Sequence, residues 1–160
     1  MLHSFTTIQI LHTDIDTVWN FMSSPNNLAQ ITPNYMGFTI VGHEEQFKGI
    51  YSGQLIEYIV TPVLGIKMNW VTEITHVSEK QYFVDEQRFG PYTFWHHKHF
   101  LRVVDSGVEM MDIVHYKIPL GFLGKIANAL FIKKKLQEIF DYRYTALAAI
   151  FNTEKQTTSF

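Results

Sequence analysis

The chain has 160 residues, of which 46 % are hydrophobic and 18 % are charged, a composition that fits one globular domain and excludes a disordered chain. A formal net charge of −2 excludes the strongly basic surface that nucleic acids attract, so we expect no nucleic-acid partner. The absence of cysteine excludes disulfides, thiolate metal sites and cysteine nucleophiles.

The first part of the chain predicts a strand followed by two short helices. A run rich in β-branched residues, without glycine or proline, predicts the strand over 3–12. Thr13 or Asp14 can cap the first helix, because either side chain can accept a hydrogen bond from an unpaired amide group. Pro25 predicts the start of the second helix, over 25–32, since the first helical position needs no N–H donor.

From residue 38 onward the hydrophobic pattern has the period of two that is typical of β-strands. Glycine, proline or charged turns divide this region into predicted strands over 38–45, 51–61, 66–78, 81–89, 92–104 and 108–118. Ser106-Gly107 lies between two alternating runs and predicts a two-residue hairpin turn, since glycine tolerates positive φ. Consecutive strands at this spacing predict an antiparallel meander.

A helical period returns after the last predicted strand. Pro119 ends that strand, and a short apolar helix is predicted over 121–131. Apolar residues then recur at spacings of three and four, which predicts a long helix over about 134–152. The phase of the pattern shifts near Lys133, so we expect a kink or break there. The tail, 153–160, has no periodicity, and we expect it to be frayed.

This order of elements predicts an α+β fold in which a curved antiparallel sheet of six or seven strands wraps around the long C-terminal helix, with two short helices after the first strand. A lone antiparallel sheet buries one face, and the long helix is the element large enough to cover it. No repeat or linker marks a second domain, so we expect one domain over 1–160. A gap between a curved sheet and its helix is where a small ligand would bind.

Three histidines lie in the segment YTFWHHKHFLRV, residues 92–103, which is predicted to be part of a strand. Side chains in a strand alternate between the two faces of the sheet. One face then carries His96, Lys98, Phe100 and Arg102, and the other carries Trp95, His97, His99, Leu101 and Val103. The first set is more charged and is predicted to meet water, whereas the second is predicted to face the helix.

Polar residues of the two neighbouring strands are predicted to lie beside the inward histidines. A loop centred on Pro91 would place Asp85 opposite His97. The predicted hairpin turn would place Tyr116 opposite the same histidine. We therefore expect Asp85, His97 and Tyr116 to form one row across three strands of the inner face.

The sequence leaves three interpretations of this row open. Asp85 orienting His97 would make a general base. The polar groups could instead hydrogen-bond a ligand, or satisfy one another as a buried network. His97 and His99 with Asp85 also have the residue types of a metal site, but a His-x-His pattern on a strand is common by chance. We therefore predict neither a metal nor another cofactor.

Arg143 is unusual because it falls on the apolar stripe of the long helix, where an unpaired charge is costly. Its guanidinium can pair with Asp112 or Asp85, hold the acidic end of a ligand, or extend to solvent at the edge of the helix. The candidate ligand-binding residues are Trp70, Asp85, Gln87, Trp95, His97, His99, Asp112, Tyr116, Phe140 and Arg143, with His97 and Asp85 as candidate catalytic residues.

Several stretches carry a resemblance to a known family: VWNFMSSPNNLAQITP (18–33), DEQRFGPYTFWHHKHF (85–100), DIVHYKIPLG (112–121) and IFDYR (139–143). They are similar to the bacterial SRPBCC ligand-binding branch of the START-like superfamily, which includes birch-pollen allergen relatives and polyketide cyclase/dehydrase-like proteins. The resemblance covers nearly the whole chain and implies the helix-grip fold with a cavity for a small apolar or amphipathic molecule. It brings no catalytic motif, and a fold alone does not define a reaction. One departure is Asn34-Tyr35, where relatives often have a second proline and a tryptophan, which would alter the mouth of the cavity.

Binding of a small hydrophobic or amphipathic molecule, such as a lipid or a polyketide, is the function that we favour. It is supported by the 15 % aromatic content and by the few inward charges. The alternatives are a cyclase- or dehydratase-type enzyme with His97 as general base, and a regulatory module with a vestigial cavity. The N-terminus has no signal-peptide features, and no apolar run approaches the ~20 residues that span a bilayer. We therefore expect a cytoplasmic protein without stable membrane insertion.

Overall fold

The computed structural model describes residues 1–42, 49–61, 66–119 and 131–152. The strands are β1 (His3–Leu11), β2 (Thr39–Ile40), β3 (Gln54–Val60), β4 (Met68–Ser78), β5 (Tyr82–Phe89), β6 (Phe94–Val104) and β7 (Gly107–Lys117). The α-helices are α1 (Ile15–Met22) and α2 (Lys133–Phe151), and 3₁₀ helices cover Pro25–Ile31 and Asn34–Met36.

The strands of the described residues form a seven-stranded antiparallel sheet in the order β1-β7-β6-β5-β4-β3-β2. Strands β2 to β7 are therefore neighbours in chain order, as expected for a meander, and β1 pairs with β7 along its whole length. The predicted α+β helix-grip fold, with a curved sheet and a long C-terminal helix, is confirmed. Within the described residues, no helix is both long enough and apolar enough to cross a membrane.

Some predicted elements differ from the structure at their ends. The second short helix is a 3₁₀ helix. Its Asn27 side chain donates a hydrogen bond from Nδ2 to the carbonyl of Phe21 (3.0 Å), a local contact that competes with regular helix geometry. Strand β2 has two residues, and part of the segment predicted for it lies outside the described residues. The helix predicted over 121–131 (apart from Phe131) and the tail 153–160 also lie outside them.

Helix α2 packs its predicted apolar stripe against the sheet. Leu136, Phe140, Arg143 and Leu147 are its buried residues, at spacings of four, three and four. Leu147 is fully buried in the same hydrophobic cluster as residues of β1 and β7. The end of the helix is fixed to β1, because Asn152 Oδ1 accepts a hydrogen bond from the amide of His12 (2.9 Å) and Asn152 Nδ2 donates to the carbonyl of Ile10 (3.3 Å). These contacts hold α2 across the inner face of the sheet.

The alternation of strand β6 is the one that the sequence predicts along most of its length. Trp95, His97, His99 and Leu101 are buried on the inner face. The prediction was wrong for Val103, which is 67 % exposed near the hairpin end of the strand, although its partner Val108 is buried.

The hairpin between β6 and β7 turns one residue earlier than predicted. Val104 pairs with Gly107, so the two-residue turn is Asp105-Ser106 and Gly107 is already the first residue of β7. Gly107 has a φ of +132°, and a Cβ at this position would lie 2.2 Å from the carbonyl oxygen of Leu11. The glycine therefore permits the close approach of β1 rather than forming the turn itself.

Substitution of Gly107 tests this close approach. We expect Gly107→Ala to lower the free energy of unfolding by ~1–3 kcal/mol from backbone strain alone, because alanine is strained at this φ. The collision of its Cβ with the backbone of β1 would add to this loss. The measurement is chemical denaturation followed by circular dichroism. Gly49→Ala is the matched control, since a Cβ there meets nothing within 4 Å, and we expect a change within ~0.5 kcal/mol. Equal stability of the two variants would contradict the assigned register.

Candidate functional site

A cavity of about 200 Å³ lies between the inner face of the sheet, the 3₁₀ helix Pro25–Ile31 and helix α2. Most of its wall is apolar, with contributions from Leu28, Ile31, Met36, Ile56, Val60, Ile74, Leu136 and Ile139. This volume is smaller than the ~300–1,000 Å³ that is typical of sites for drug-sized ligands. The cavity therefore suits a small molecule that is largely apolar.

Aromatic side chains line one part of this cavity. Trp70 and Trp95 meet edge to face with ring centroids 5.2 Å apart, and the ring of Tyr92 lies 4.9 Å from that of Trp95. The strand alternation indicated both tryptophans. It did not indicate Tyr92, which lies in the loop before β6, where the period of two does not apply.

Gln87 has a different position from the one predicted. Its side chain donates a hydrogen bond to the carbonyl of Tyr92 (2.6 Å) and accepts one from the amide of Tyr92 (3.2 Å), and it does not line the cavity. The structure therefore places Gln87 outside the cavity wall, because its side-chain amide holds the β5–β6 loop. Gln87 thus acts on the cavity indirectly, by fixing Tyr92.

A cluster of charged and titratable side chains forms the polar part of the site. We call Asp85, His97, His99, Asp112 and Arg143 the inner polar cluster. Asp85 lies on β5 opposite His97, and Asp112 lies on β7 opposite His99, so the two histidines of β6 stand between two carboxylates. Arg143 reaches the cluster from α2. All members except Asp112 also line the cavity.

Asp112 is the centre of the inner polar cluster and is 1 % exposed. Its Oδ1 atom lies 3.0 Å from His97 Nε2 and 2.8 Å from His99 Nδ1. The same oxygen is 3.8 Å from Arg143 Nη2. Of the partners that the sequence allowed for Arg143, the structure therefore brings Asp112 closest.

Asp85 contacts the other nitrogen of each histidine. Its Oδ2 atom lies 2.7 Å from His99 Nε2, at hydrogen-bond distance, and 3.5 Å from His97 Nδ1. The two imidazole rings lie against each other with centroids 3.7 Å apart, and Phe83 stacks on His99 at 4.1 Å. Both rings are thus fixed by neighbours and by carboxylates on two sides.

The carboxylates and cations of the inner polar cluster shift one another's pKa values. Burial alone would raise the pKa of Asp112, but Arg143 and the histidines hold it well below its usual range. Burial likewise opposes ionisation of Asp85, yet His97 and His99 lower its pKa. Both carboxylates are therefore ionised.

The two histidines shift in opposite directions. Burial lowers the pKa of His97, with a further contribution from the neighbouring His99. Burial also disfavours a charge on His99, but Asp112 and Asp85 outweigh it and raise its pKa. The neutral form of His97 is thus favoured, whereas the two carboxylates favour a positive charge on His99.

Tyr116 does not form the predicted row with Asp85 and His97. The earlier turn shifts the pairing, so that Tyr116 lies opposite Trp95 and Val114 lies opposite His97. The face is unchanged because the partner shifts by two residues. Tyr116 is buried next to His3 (ring centroids 5.3 Å apart) and does not line the cavity.

Seven of the candidate residues line the cavity: Trp70, Asp85, Trp95, His97, His99, Phe140 and Arg143. Asp112 lies behind them, as the partner of both histidines. The sequence analysis missed Tyr58, which lines the cavity and whose pKa is raised by burial and by the nearby charge of Asp85. Its signal was the alternation of β3, which places Ile56, Tyr58 and Val60 on one face.

No protein-family profile and no curated protein sequence matches this chain. Solved structures do match in fold. Protein CV1439 from Chromobacterium violaceum has a TM-score of 0.70 at 12 % identity, over 94 % of this chain and 99 % of its own. A protein from Arthrobacter aurescens has a TM-score of 0.66 at 14 % identity, over 98 % of this chain and 92 % of its own.

Ara h 8.0201, which is Bet v 1-like, has a TM-score of 0.58 at 14 % identity, over 93 % of this chain and 99 % of its own. At these identities the likeness establishes the helix-grip fold that the sequence resemblance implied. It does not transfer a ligand or an activity.

Removal of Arg143 tests how strongly Asp112 depends on its buried partner. We expect Arg143→Met to lower the free energy of unfolding by about 3–5 kcal/mol, because a buried carboxylate loses a compensating cation. The measurement is urea denaturation at neutral pH.

The control for this variant is another arginine–carboxylate pair. Arg102 contacts Glu109 at 2.9 Å on the outer face, where the arginine side chain is 70 % exposed. We expect Arg102→Met to cost less than ~1 kcal/mol, since exposed ion pairs contribute little. An Arg143→Met loss as small as that of the control would show that Asp112 does not depend on Arg143.

Proposed function

We propose that this chain binds a small, mainly apolar molecule that carries a hydrogen-bond donor, such as an aromatic or alicyclic alcohol. The observation that carries the proposal is the composition of the cavity, whose wall is mainly apolar and aromatic. Its charged and titratable part is formed by Asp85, His97, His99 and Arg143. A site of this kind takes most of its affinity from apolar contact and its orientation from a few polar groups. The volume of about 200 Å³ favours a ligand of one or two rings over a full-sized lipid.

The preference for a donor follows from the hydrogen bonds of His97. Neutral His97 donates from Nε2 to Asp112 Oδ1 (3.0 Å), so Nδ1 carries a lone pair and accepts. Nδ1 has Asp85 Oδ2 only at 3.5 Å, which is too long for a strong hydrogen bond, and that carboxylate is also an acceptor. A ligand hydroxyl placed here would donate to Nδ1 or to Asp85. The inner polar cluster would thus anchor one end of the ligand.

A cyclase- or dehydratase-type reaction is the second candidate function. The observation that favours it is the same lone pair, because a general base must be unprotonated and oriented. Asp112 rather than Asp85 would orient the imidazole. We propose a cytoplasmic location for either activity. The net charge of −2 supports a small-molecule partner over a nucleic acid.

Native mass spectrometry of the protein from its own host tests the binding proposal without a chosen ligand. We expect a fraction of the protein to retain one small molecule that dissociates on collisional activation. The same protein refolded from denaturant should lack the additional mass and should bind 2-naphthol saturably, one per chain. Absence of both a retained molecule and saturable 2-naphthol binding would contradict the proposal.

The role of His97 is tested by comparing two ligands, with and without a hydroxyl, in wild-type protein and in a His97 variant. Protein treated with EDTA to remove any bound metal ion is titrated with 2-naphthol and with 2-methoxynaphthalene. The second compound has a similar ring system but no hydrogen-bond donor. We expect wild type to prefer 2-naphthol by ~1–3 kcal/mol, about 5- to 150-fold, and His97→Phe to lose this preference. His96→Phe is the control on the outer face and should keep it.

Thermal melts of each variant check folding separately. A preference that survives in His97→Phe, or that His96→Phe also abolishes, would refute the anchoring role. A His97 variant that binds the host ligand normally but no longer converts it would favour the enzymatic candidate.

A further inference from the structure

The inner polar cluster has a second property that ligand anchoring does not require. Each histidine directs one ring nitrogen to Asp112 and the other to Asp85. The nitrogens on the Asp85 side are His97 Nδ1 and His99 Nε2, and both residues line the cavity together with Asp85. Three ligand atoms of metal-binding types therefore converge on one point at the cavity wall.

The distances between these atoms fit a single bound ion. A divalent transition ion binds imidazole nitrogen and carboxylate oxygen at about 2.0–2.2 Å, which places neighbouring ligand atoms roughly 3–3.5 Å apart. Asp85 Oδ2 lies 2.7 Å from His99 Nε2 and 3.5 Å from His97 Nδ1. All three ligand atoms lie within 4.8 Å of one another. The Asp85–His97 distance already has this spacing, and the Asp85–His99 distance would lengthen by a few tenths of an ångström around an ion.

Asp112 supplies the feature that the sequence spacing alone could not indicate. Histidines that bind a metal almost always donate their other ring N–H to a carboxylate or carbonyl, which fixes the tautomer and the ring orientation. Asp112 Oδ1 lies at 3.0 Å from His97 Nε2 and 2.8 Å from His99 Nδ1, so one carboxylate occupies this position for both rings. Arg143 compensates its charge from the helix side. A His-x-His pattern found by chance has no reason to share such a partner.

We propose that Asp85, His97 and His99 bind one divalent first-row transition metal ion, such as Zn²⁺, Co²⁺ or Fe²⁺, and that Asp112 holds both imidazoles in place. Two histidines and one carboxylate suit this class of ion and leave coordination positions for water or a ligand oxygen. All three residues line the cavity, so a ligand in the cavity would lie next to the ion. The ion would replace the hydrogen bond between His99 Nε2 and Asp85 Oδ2 (2.7 Å).

The metal proposal and the ligand proposal share His97 and Asp85, but each can fail without the other. A metal ion and a ligand hydroxyl compete for His97 Nδ1, which is why the naphthol titrations use metal-free protein. Loss of naphthol binding would leave the metal titration unaffected, and failure to bind metal would leave the naphthol result unchanged.

The outer face of the sheet offers a competing location that the experiment must exclude. His96 and His115 are cross-strand neighbours with ring centroids 6.2 Å apart, and Glu86 lies 3.8 Å from His96. Such a surface pair can bind transition ions without any built site. His96→Gln is therefore the matched control for His97→Gln, one position along the same strand and on the opposite face.

The test is a titration of the EDTA-treated, full-length protein with Co²⁺, followed by its visible absorption bands and by calorimetry. We expect saturation at one ion per chain, and a melting temperature that rises with Co²⁺ because the ion binds the folded state. Zn²⁺ should displace the Co²⁺ bands. His96→Gln should bind as wild type does.

The variants distinguish the ligands from the positioning residue. Asp85→Asn, His97→Gln and His99→Gln should each abolish the Co²⁺ bands. Asp112→Asn should retain the bands but weaken binding by ~10–100-fold, as expected for a residue that orients ligands. Melts without metal report the folding of each variant. Asp85→Asn serves as the decisive variant if a histidine variant fails to fold, because Asp85 is the least buried of the three ligands.

Several outcomes would overturn the proposal. One is the absence of saturable Co²⁺ binding to wild type. Another is binding that survives in Asp85→Asn. A third is binding that His96→Gln abolishes, which would assign the ion to the outer face.

Discussion

A buried carboxylate determines how the interior of this protein is organised. Asp112 is 1 % exposed, and an ionised carboxylate at such a place is tolerated only with compensating partners. It finds them in three directions: His97 and His99 on the adjacent strand, and Arg143 on helix α2. The ion pair between Asp112 and Arg143 links the sheet to helix α2. Apolar side chains between the sheet and the helix link the same two elements by packing. Asp112 and, on the other side of the rings, Asp85 together orient both histidines, which form part of the polar cavity wall.

The strand alternation was enough to predict which side chains of β6 and β7 face inward near the site. Trp95, His97 and His99 were placed correctly because a period of two does not depend on the exact turn. The same insensitivity concealed the error in register. Moving the turn from Ser106-Gly107 to Asp105-Ser106 changed the partner of His97 from Tyr116 to Val114 without changing its face. The sequence could not show this, because Gly107 is required by the nearby backbone of β1, a contact distant in the chain.

Side-chain contacts between different strands, loops and helices could not be predicted from the sequence. Arg143 had alternative partners, and only the packing of α2 on the sheet brings it next to Asp112. Gln87 shares a face with Asp85, yet its side chain holds the Tyr92 loop, because backbone groups of a loop are strong competitors for an amide. The proposed metal site also depends on contacts between different strands. His97, His99 and Asp85 were recognisable from spacing, but the common partner Asp112 becomes visible only when β5, β6 and β7 are aligned.

A crystal structure of the metal-free protein with 2-naphthol would test most directly the claim that the cavity binds an apolar molecule by its donor end. We predict the naphthalene ring between Trp95 and Phe140, with its hydroxyl within hydrogen-bond distance of His97 Nδ1 or the Asp85 carboxylate. A ring bound on the outer face of the sheet, or a hydroxyl directed away from the inner polar cluster, would contradict the account.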